Sequence, residues 1–390
     1  MNLKFRKNLQ KSLRDFLQAE SASGVILIFC ACIAMTIANS PWSQTYFQIL
    51  NYKIAGLSVL HLINDGLMTI FFFVIGMEIK KELLIGELSS SQKAALPFAA
   101  ALGGMIVPAL IYLFFNPSLP EARGWGIPMA TDIAFAVGIL NFFGKKSPLS
   151  LKVFLLALAI VDDLGAILVI ALFYISKVNT QGLGLAAATL GLMVLFRFVG
   201  LRSYFPYAIL GFFVWLGFLI SGIHATIAGV IIGFLTPYNY VNRKNIAETF
   251  SPLTYLVHTL HPYVSFGILP VFALANAGVA LKNVEFFTVF SDPVYQGIIF
   301  GLILGKPLGI FLFSMIAIAL GIGKLPAGIR WTHILSIGFL GGVGFTMSIF
   351  ISNLALTQNY DLYAKTGIVF GSTIAALLGS LALSISIKQK

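Results

Sequence analysis

Asp162 and Asp163 are adjacent carboxylates in an otherwise apolar run from Val153 to Tyr174, long enough to cross a bilayer. An Asp at the centre of a spanning helix costs about 2.5–3.5 kcal/mol on insertion scales, so two in succession point to an ion or proton pathway. A structural pin would need only one. Successive helical residues lie about 100° apart, so the two carboxylates face different ways and need different partners. One is expected to face a water-filled cavity and hold a cation, the other a neighbouring helix and a counter-charge. Carboxylates this close in a poor solvent raise each other's proton affinity, and a hard cation seeking oxygen ligands competes with those protons. That competition, exposed to each side of a membrane in turn, suffices for cation/proton exchange.

Other polar residues inside apolar runs are few: Asp65, Thr131 with Asp132, and Lys306. A single Lys facing four carboxylates suggests an interior ion pair, because each charge reduces the other's desolvation penalty. Two runs carry breaks. Gly124, Gly126 and Pro128 precede Thr131 and Asp132, and Gly341, Gly342 and Gly344 precede Thr346 and Ser348. An interrupted helix leaves N–H groups at one broken end and carbonyls at the other, with roughly half a charge on each. Asp132 is the candidate to neutralise the positive ends and Lys306 the negative ones. A faint internal echo accompanies the breaks: Gly103-Gly104 with Pro108 opens the run before the first, and Gly301, Gly305 and Pro307 occupy the run before the second.

The elements that must position these residues are transmembrane helices. The chain is 58% hydrophobic and 10% charged with a mean hydropathy of +0.93, which describes an all-α polytopic membrane protein. Spans are expected to begin near Ser23, Val59, Ala94, Trp125, Val153, Leu183, Phe205, His224, Thr259, Val294, Ile334 and Thr366, about twelve in all. Residues 1–390 read as one transmembrane domain, with 1–20 a cytoplasmic N-terminal segment followed by an uncleaved first helix. Residues 41–58 read as an external loop in which Tyr52, Ile54 and Leu57 could pair as a hairpin. With this segmentation, 19 of the 25 Lys and Arg fall at the termini and every second loop, among them Lys4, Arg6, Lys7, Lys11, Arg14, Lys80, Lys81, Lys145, Lys146, Arg197, Arg202, Arg243, Lys244, Lys388 and Lys390. The alternate loops hold Lys53, Arg123, Lys177, Lys282 and Lys365. The positive-inside rule then places both termini in the cytoplasm. The net charge of +11 is spread along that face, which argues against nucleic acid as a partner. Cys30 and Cys32 provide no disulfide or metal framework.

An intramembrane aspartyl protease also needs two carboxylates, but on separate helices and with a Gly-x-Gly-Asp motif that this chain lacks; no enzyme is expected. A sodium-coupled solute symporter is the closer rival. It would need polar contacts for an organic substrate, and the interior amides for it are few: Asn64, Asn276 and Asn353.

Several segments taken together resemble the NhaA family of bacterial sodium/proton antiporters over essentially the whole length: ASGVILI near Ser23, Glu78-Ile79-Lys80-Lys81-Glu82, GGMIVPAL at Gly103, ATDIAFA at Ala130, LALAIVDDLGAI at Leu156, HATIAGVIIGF at His224, FALANAGV at Phe272, GKPLGI at Gly305 and GFTMSIFI at Gly344. The resemblance implies twelve helices in an inverted-repeat fold, with the spans around Asp132 and Gly342 unwound and crossing near the midplane. It implies Asp163 as principal sodium ligand with Asp162 as companion, Thr131 and Asp132 nearby, and Lys306 as interior counter-charge. Also implied are electrogenic expulsion of Na+, and of Li+, against external H+, activation at alkaline pH, no cofactor, homodimers and an inner-membrane location. The family's pH-response cluster maps onto Glu78, Lys81, Glu82, His258 and His261. Lys81 stands where the best-known member has Arg, and Val257 where it has Glu.

Overall fold

The computed structural model describes residues 22–144, 147–175, 178–200, 204–238, 240–241, 249–281 and 286–388. Of the basic residues that set the expected topology, Lys4, Arg6, Lys7, Lys11, Arg14, Lys145, Lys146, Lys177, Arg202, Arg243, Lys244, Lys282 and Lys390 lie outside the described residues, as does the segment 1–20. The remainder is almost wholly helical.

In chain order the elements are α1 (Ala22–Ala38), α2 (Ser43–Asn51), a hairpin of β1 (Lys53–Ile54) and β2 (Leu57–Ser58), and α3 (Val59–Ile85). There follow α4 (Ser91–Phe115), α5 (Ile133–Phe142), α6 (Leu149–Phe173), α7 (Thr180–Val199), α8 (Tyr204–Ser221) and α9 (Thr226–Leu235). Then come α10 (Pro252–Asn276), α11 (Pro293–Ala319), α12 (Trp331–Gly341), α13 (Phe345–Ala355) and α14 (Asp361–Lys388). Among the described residues eight helices are long and apolar enough to span a bilayer, ten if the bent pairs α1/α2 and α12/α13 each count as one. The expected twelve is reached only by adding α8 and α9. At 10 residues, α9 is too short to cross alone.

Residues 41–58 contain the hairpin expected of them and more. They hold α2, bent 111° from α1, ahead of the hairpin. The sequence SQTYFQILN is too short and polar to read as a span, but Tyr46, Phe47 and Leu50 fall on one helical face, a signal the sequence reading passed over. In the hairpin Ile54 pairs with Leu57 across Ala55 (φ 51°) and Gly56 (φ 88°), the two left-handed residues that a tight two-residue hairpin turn requires.

The chain divides into two compact units. One comprises the stretch ending at Gln48 with Glu87–Ala166 and Ala273–Lys390; the other comprises Ile49–Gly86 and Ile167–Phe272. In the first, Leu96, Ala100, Leu140, Phe154, Leu158, Ile310, Ile337 and Leu340 form a buried apolar core. Among the eight unbroken spans α6 is the most enclosed, with 72% of its apolar window buried against 17% for α7, so the helix carrying Asp162 and Asp163 faces protein on most sides.

Backbone contact holds α4 against α11. A Cβ on Gly103 would sit 2.1 Å from the Gly309 carbonyl oxygen, one on Gly309 would sit 2.0 Å from that of Gly103, and one on Gly305 would sit 2.6 Å from Pro108 Cα. The two segments that echo each other in sequence therefore pack on each other. Small residues allow this approach, and in lipid, where no hydrophobic drive favours helix association, close packing supplies the attraction. In the second unit Gly229 and Gly233 of α9 meet the Thr69 and Phe73 carbonyls of α3 in the same manner, at 2.1 and 2.6 Å from an added Cβ. Beyond Gly301–Gly305, a turn of π type, α11 resumes at Lys306.

Gly309→Ala must push two backbones apart, and overpacking of this kind costs about 1–3 kcal/mol. The variant is expected to melt well below the parent in detergent. Gly191→Ala in α7 meets nothing within 4 Å and adds helix propensity, so it is expected to melt at or above the parent temperature. Equal melting of the two variants would contradict the tight α4–α11 crossing.

Candidate functional site

The first unit contains both interrupted segments. A 3₁₀ stretch, Glu121–Met129, ends at Ala130, and α5 starts only at Ile133, so Ala130, Thr131 and Asp132 form an extended bridge. In the other, α12 stops at Gly341 and α13 begins at Phe345 with a bend of 48°. The bridges touch: the Asp132 amide donates to the Val343 carbonyl at 2.7 Å.

Asp132 is the N-cap of α5, its Oδ1 accepting the Phe135 amide at 3.2 Å. Its Oδ2 accepts the Thr346 amide at 3.0 Å and the Thr346 hydroxyl. One buried carboxylate thus meets the positive ends of two short helices, each carrying about half a charge. The role expected of Asp132 from the breaks matches this geometry.

The carbonyl end is served differently from the expectation. Thr131 Oγ1 donates to the Gly341 carbonyl, at 2.9 Å, and Lys306 Nζ donates to Thr131 Oγ1 at 2.8 Å. Lys306 thus reaches the broken end of α12 through the threonine hydroxyl. Its direct partner is Asp162: Nζ and Oδ2 form an ion pair in which both side chains are fully buried, and Oδ2 also lies 2.7 Å from Thr131 Oγ1. At Gly104 an added Cβ would crowd Ile310, 2.9 Å from its Cγ1, and would reach the Lys306 stem only in ordinary contact, 3.5 Å from Cδ.

The other Asp162 oxygen, Oδ1, is buried and accepts no hydrogen bond among the described residues. Asp163 is 3% exposed and, one residue further along α6, points about 100° away. Four oxygen-bearing side chains (Thr131, Asp132, Asp162 and Asp163) and one ammonium are therefore enclosed around two broken helices. Such a set can hold a desolvated cation or a proton and exchange one for the other as the Lys306 contact forms or breaks. Ser348 extends the polar lining by donating to the Ile127 carbonyl at 2.8 Å.

Not every expected residue joins this set. Asp65 belongs to the second unit, where its carboxylate pairs with His61 at 3.0 Å, so the four carboxylates do not all share one lysine. Of the residues matched to the pH-response cluster, all in the second unit, Glu78 and His261 approach to 3.8 Å with both side chains mostly buried. His258 is exposed, and Val257 beside it is buried. The sequence reading missed the cap on α9, where Lys80 donates to the Phe234 and Thr236 carbonyls at 2.7 and 2.6 Å and Arg197 to the Leu235 carbonyl at 3.2 Å. Basic residues suit a helix's carbonyl end, but 38 or more residues separate these from it.

The family model described as "Na+/H+ antiporter 1" matches residues 14–383. The chain is 50% identical over 382 residues to the Na(+)/H(+) antiporter NhaA of Vibrio alginolyticus, covering 97% of this chain and 98% of that protein. It is 49% identical over 381 residues to the protein of the same name from Vibrio vulnificus strain YJ016, covering 97% and 96%. Likeness at this level along the whole length, on a polytopic helical frame with paired interior charges, establishes that the chain belongs to the Na+/H+ antiporter 1 family.

Proposed function

We propose that this multi-pass membrane protein exchanges sodium for protons, with Asp163 as the principal cation ligand, Asp162 as its companion and Lys306 as the counter-charge displaced when a cation binds. The observation carrying the reading is the fully buried Lys306–Asp162 pair beside Asp163, at the meeting of two interrupted helices. Ionisable residues at membrane depth mark ion and proton pathways. The name shared by the relatives supports the same cargo.

The finer features of the reading are outward movement of Na+, and of Li+, against inward H+, with more protons than cations per cycle and higher activity at alkaline pH. The working form is a homodimer in the bacterial inner membrane with both termini in the cytoplasm, and the protein catalyses no chemical reaction. Glu78 with His261 tunes the pH response, alongside Lys81, Glu82 and His258. The symporter reading is not favoured: Asn353 Nδ2 donates to Asn276 Oδ1 at 2.8 Å, so these two interior amides are turned toward each other.

Asp163→Asn removes a charged ligand and a titrating site with almost no change in volume. It is expected to abolish sodium-driven dissipation of a pH gradient in proteoliposomes while folding is retained, with Asp162→Asn less severe. Appreciable exchange by the Asp163 variant would remove that residue from the mechanism.

Lys306→Ala leaves a buried carboxylate without its ammonium, a loss of about 3–5 kcal/mol for a pair broken from one side. Its melting temperature should fall, and adding Asp162→Asn should restore part of the loss. Strict additivity would mean that the two side chains are uncoupled.

If protons and sodium compete for one carboxylate, apparent sodium affinity weakens as pH falls. The limit is about tenfold per pH unit for a single proton. A His258→Ala, His261→Ala variant should keep this slope and move only its midpoint. A pH-independent response in that variant would place control in the histidines instead of the binding site.

A further inference from the structure

The second unit encloses a cavity of about 660 Å³ between α3, α7, α8 and α9 and the start of α10, within the range of sites that take a drug-sized ligand. Its wall is apolar and aromatic, with Phe73, Phe212, Trp215 and Leu256 prominent, while Ile70, Ala208 and Phe212 on its rim are exposed. At one end stand Arg197 and Thr236. Lys80 is close by, bonded to the Thr236 carbonyl. Among the described residues the lining contains no carboxylate. Two cations thus converge on one end of a greasy cleft. The carbonyl end of α9 offsets only about half a charge of the two, and the described bond from Arg197 uses one of the five N–H donors of a guanidinium. Phe198 and Val199, next to Arg197, are strongly exposed, which suits a residue at the boundary between hydrocarbon and headgroups.

We propose that this cavity binds one acyl chain of an anionic phospholipid whose phosphate sits against Arg197 and Lys80. Charge complementarity selects that occupant. A zwitterionic lipid would bring a second cation beside its phosphate, next to two cations already there, and a soluble anion would leave the apolar wall uncovered; basic pockets between transmembrane helices are general headgroup sites. Glycine keeps the cavity open. A Cβ on Gly211 meets only Ile232 Cδ1, at 3.6 Å, and one on Gly66 meets nothing within 4 Å, so larger side chains at either position enter the cavity without striking backbone.

The test uses the full chain, delipidated in detergent and titrated with dioleoyl-phosphatidylglycerol or dioleoyl-phosphatidylcholine, with bound lipid counted by native mass spectrometry and the melting temperature followed in parallel. The parent is expected to retain phosphatidylglycerol in preference and to melt higher with it. Gly211→Phe and, independently, Gly66→Leu should lose one bound lipid and most of the lipid-dependent rise, while melting without lipid shows whether each is folded. Arg197→Gln should keep the chain site and weaken the preference for the anionic lipid about fivefold. Equal retention of the two lipids by the parent would overturn the headgroup assignment. Unchanged phosphatidylglycerol binding in both folded cavity variants would overturn the site.

Discussion

Lipid cannot solvate a broken helix end or a charge, and the arrangement of the first unit follows from that constraint. Interrupting α5 and α12/α13 frees backbone groups that water would otherwise satisfy, each costing several kcal/mol if left bare in hydrocarbon. Asp132 meets two amino ends with one carboxylate, and Thr131 meets the Gly341 carbonyl. The bridge between them, Asp132 amide to Val343 carbonyl, ties the two interruptions into a single feature. Once the backbone is broken at both places, the polar residues there have little freedom of identity: a short acid must stand at the amino ends and a donor at the carbonyl end.

Lys306 and Asp162 solve the same problem for side-chain charge. An isolated ammonium at this depth would be driven to neutrality, so the lysine needs its acid, and the acid needs the lysine. Reaching across requires the helices to be close. Glycine at 103, 305 and 309 lets the α4 and α11 backbones touch. The glycines are therefore as much a part of the site as the charges, since a bulkier interface would hold Lys306 away from α6.

Much of this was legible because polar residues in apolar runs are costly and so stand out. Asp132, Asp162, Asp163, Thr131 and Lys306 stood out by that reasoning, and the breaks, with Thr346 beside the second, were visible as Gly and Pro beside hydroxyls. The choice of partner was not legible. Adjacent carboxylates are symmetric in the sequence, and only the direction in which α6 faces α11 decides that Asp162 takes the lysine. The Thr131 link to Gly341 was hidden for a similar reason, because a backbone carbonyl leaves no mark in a residue list. Asp65 was grouped with the other interior acids on depth alone, whereas its partner, His61, lies one helical turn away on the same helix. The Lys80–Arg197 cap was missed because it depends on tertiary contacts that no local pattern encodes, whereas the helix Ser43–Asn51 carries an amphipathic spacing that was read as loop because the run is short.

A buried ion pair is a poor source of stability but a good switching element. The desolvation of two charges largely cancels their attraction, so in the exchange proposed above a cation that takes the lysine's place has little net stabilisation to overcome. Were Lys306 and Asp162 replaced by well-packed apolar residues, the unit would lose little stability and would lose the exchangeable charge. That balance accounts for an expensive arrangement at this depth. For the exchange proposed above, it also supplies what simple packing cannot: a proton or a cation arriving at Asp163 or at the second oxygen of Asp162 alters the charge that Lys306 faces. Through Thr131 the change is felt at the carbonyl end of α12. Binding and backbone geometry are thereby coupled over a few hydrogen bonds, with no long-range path required.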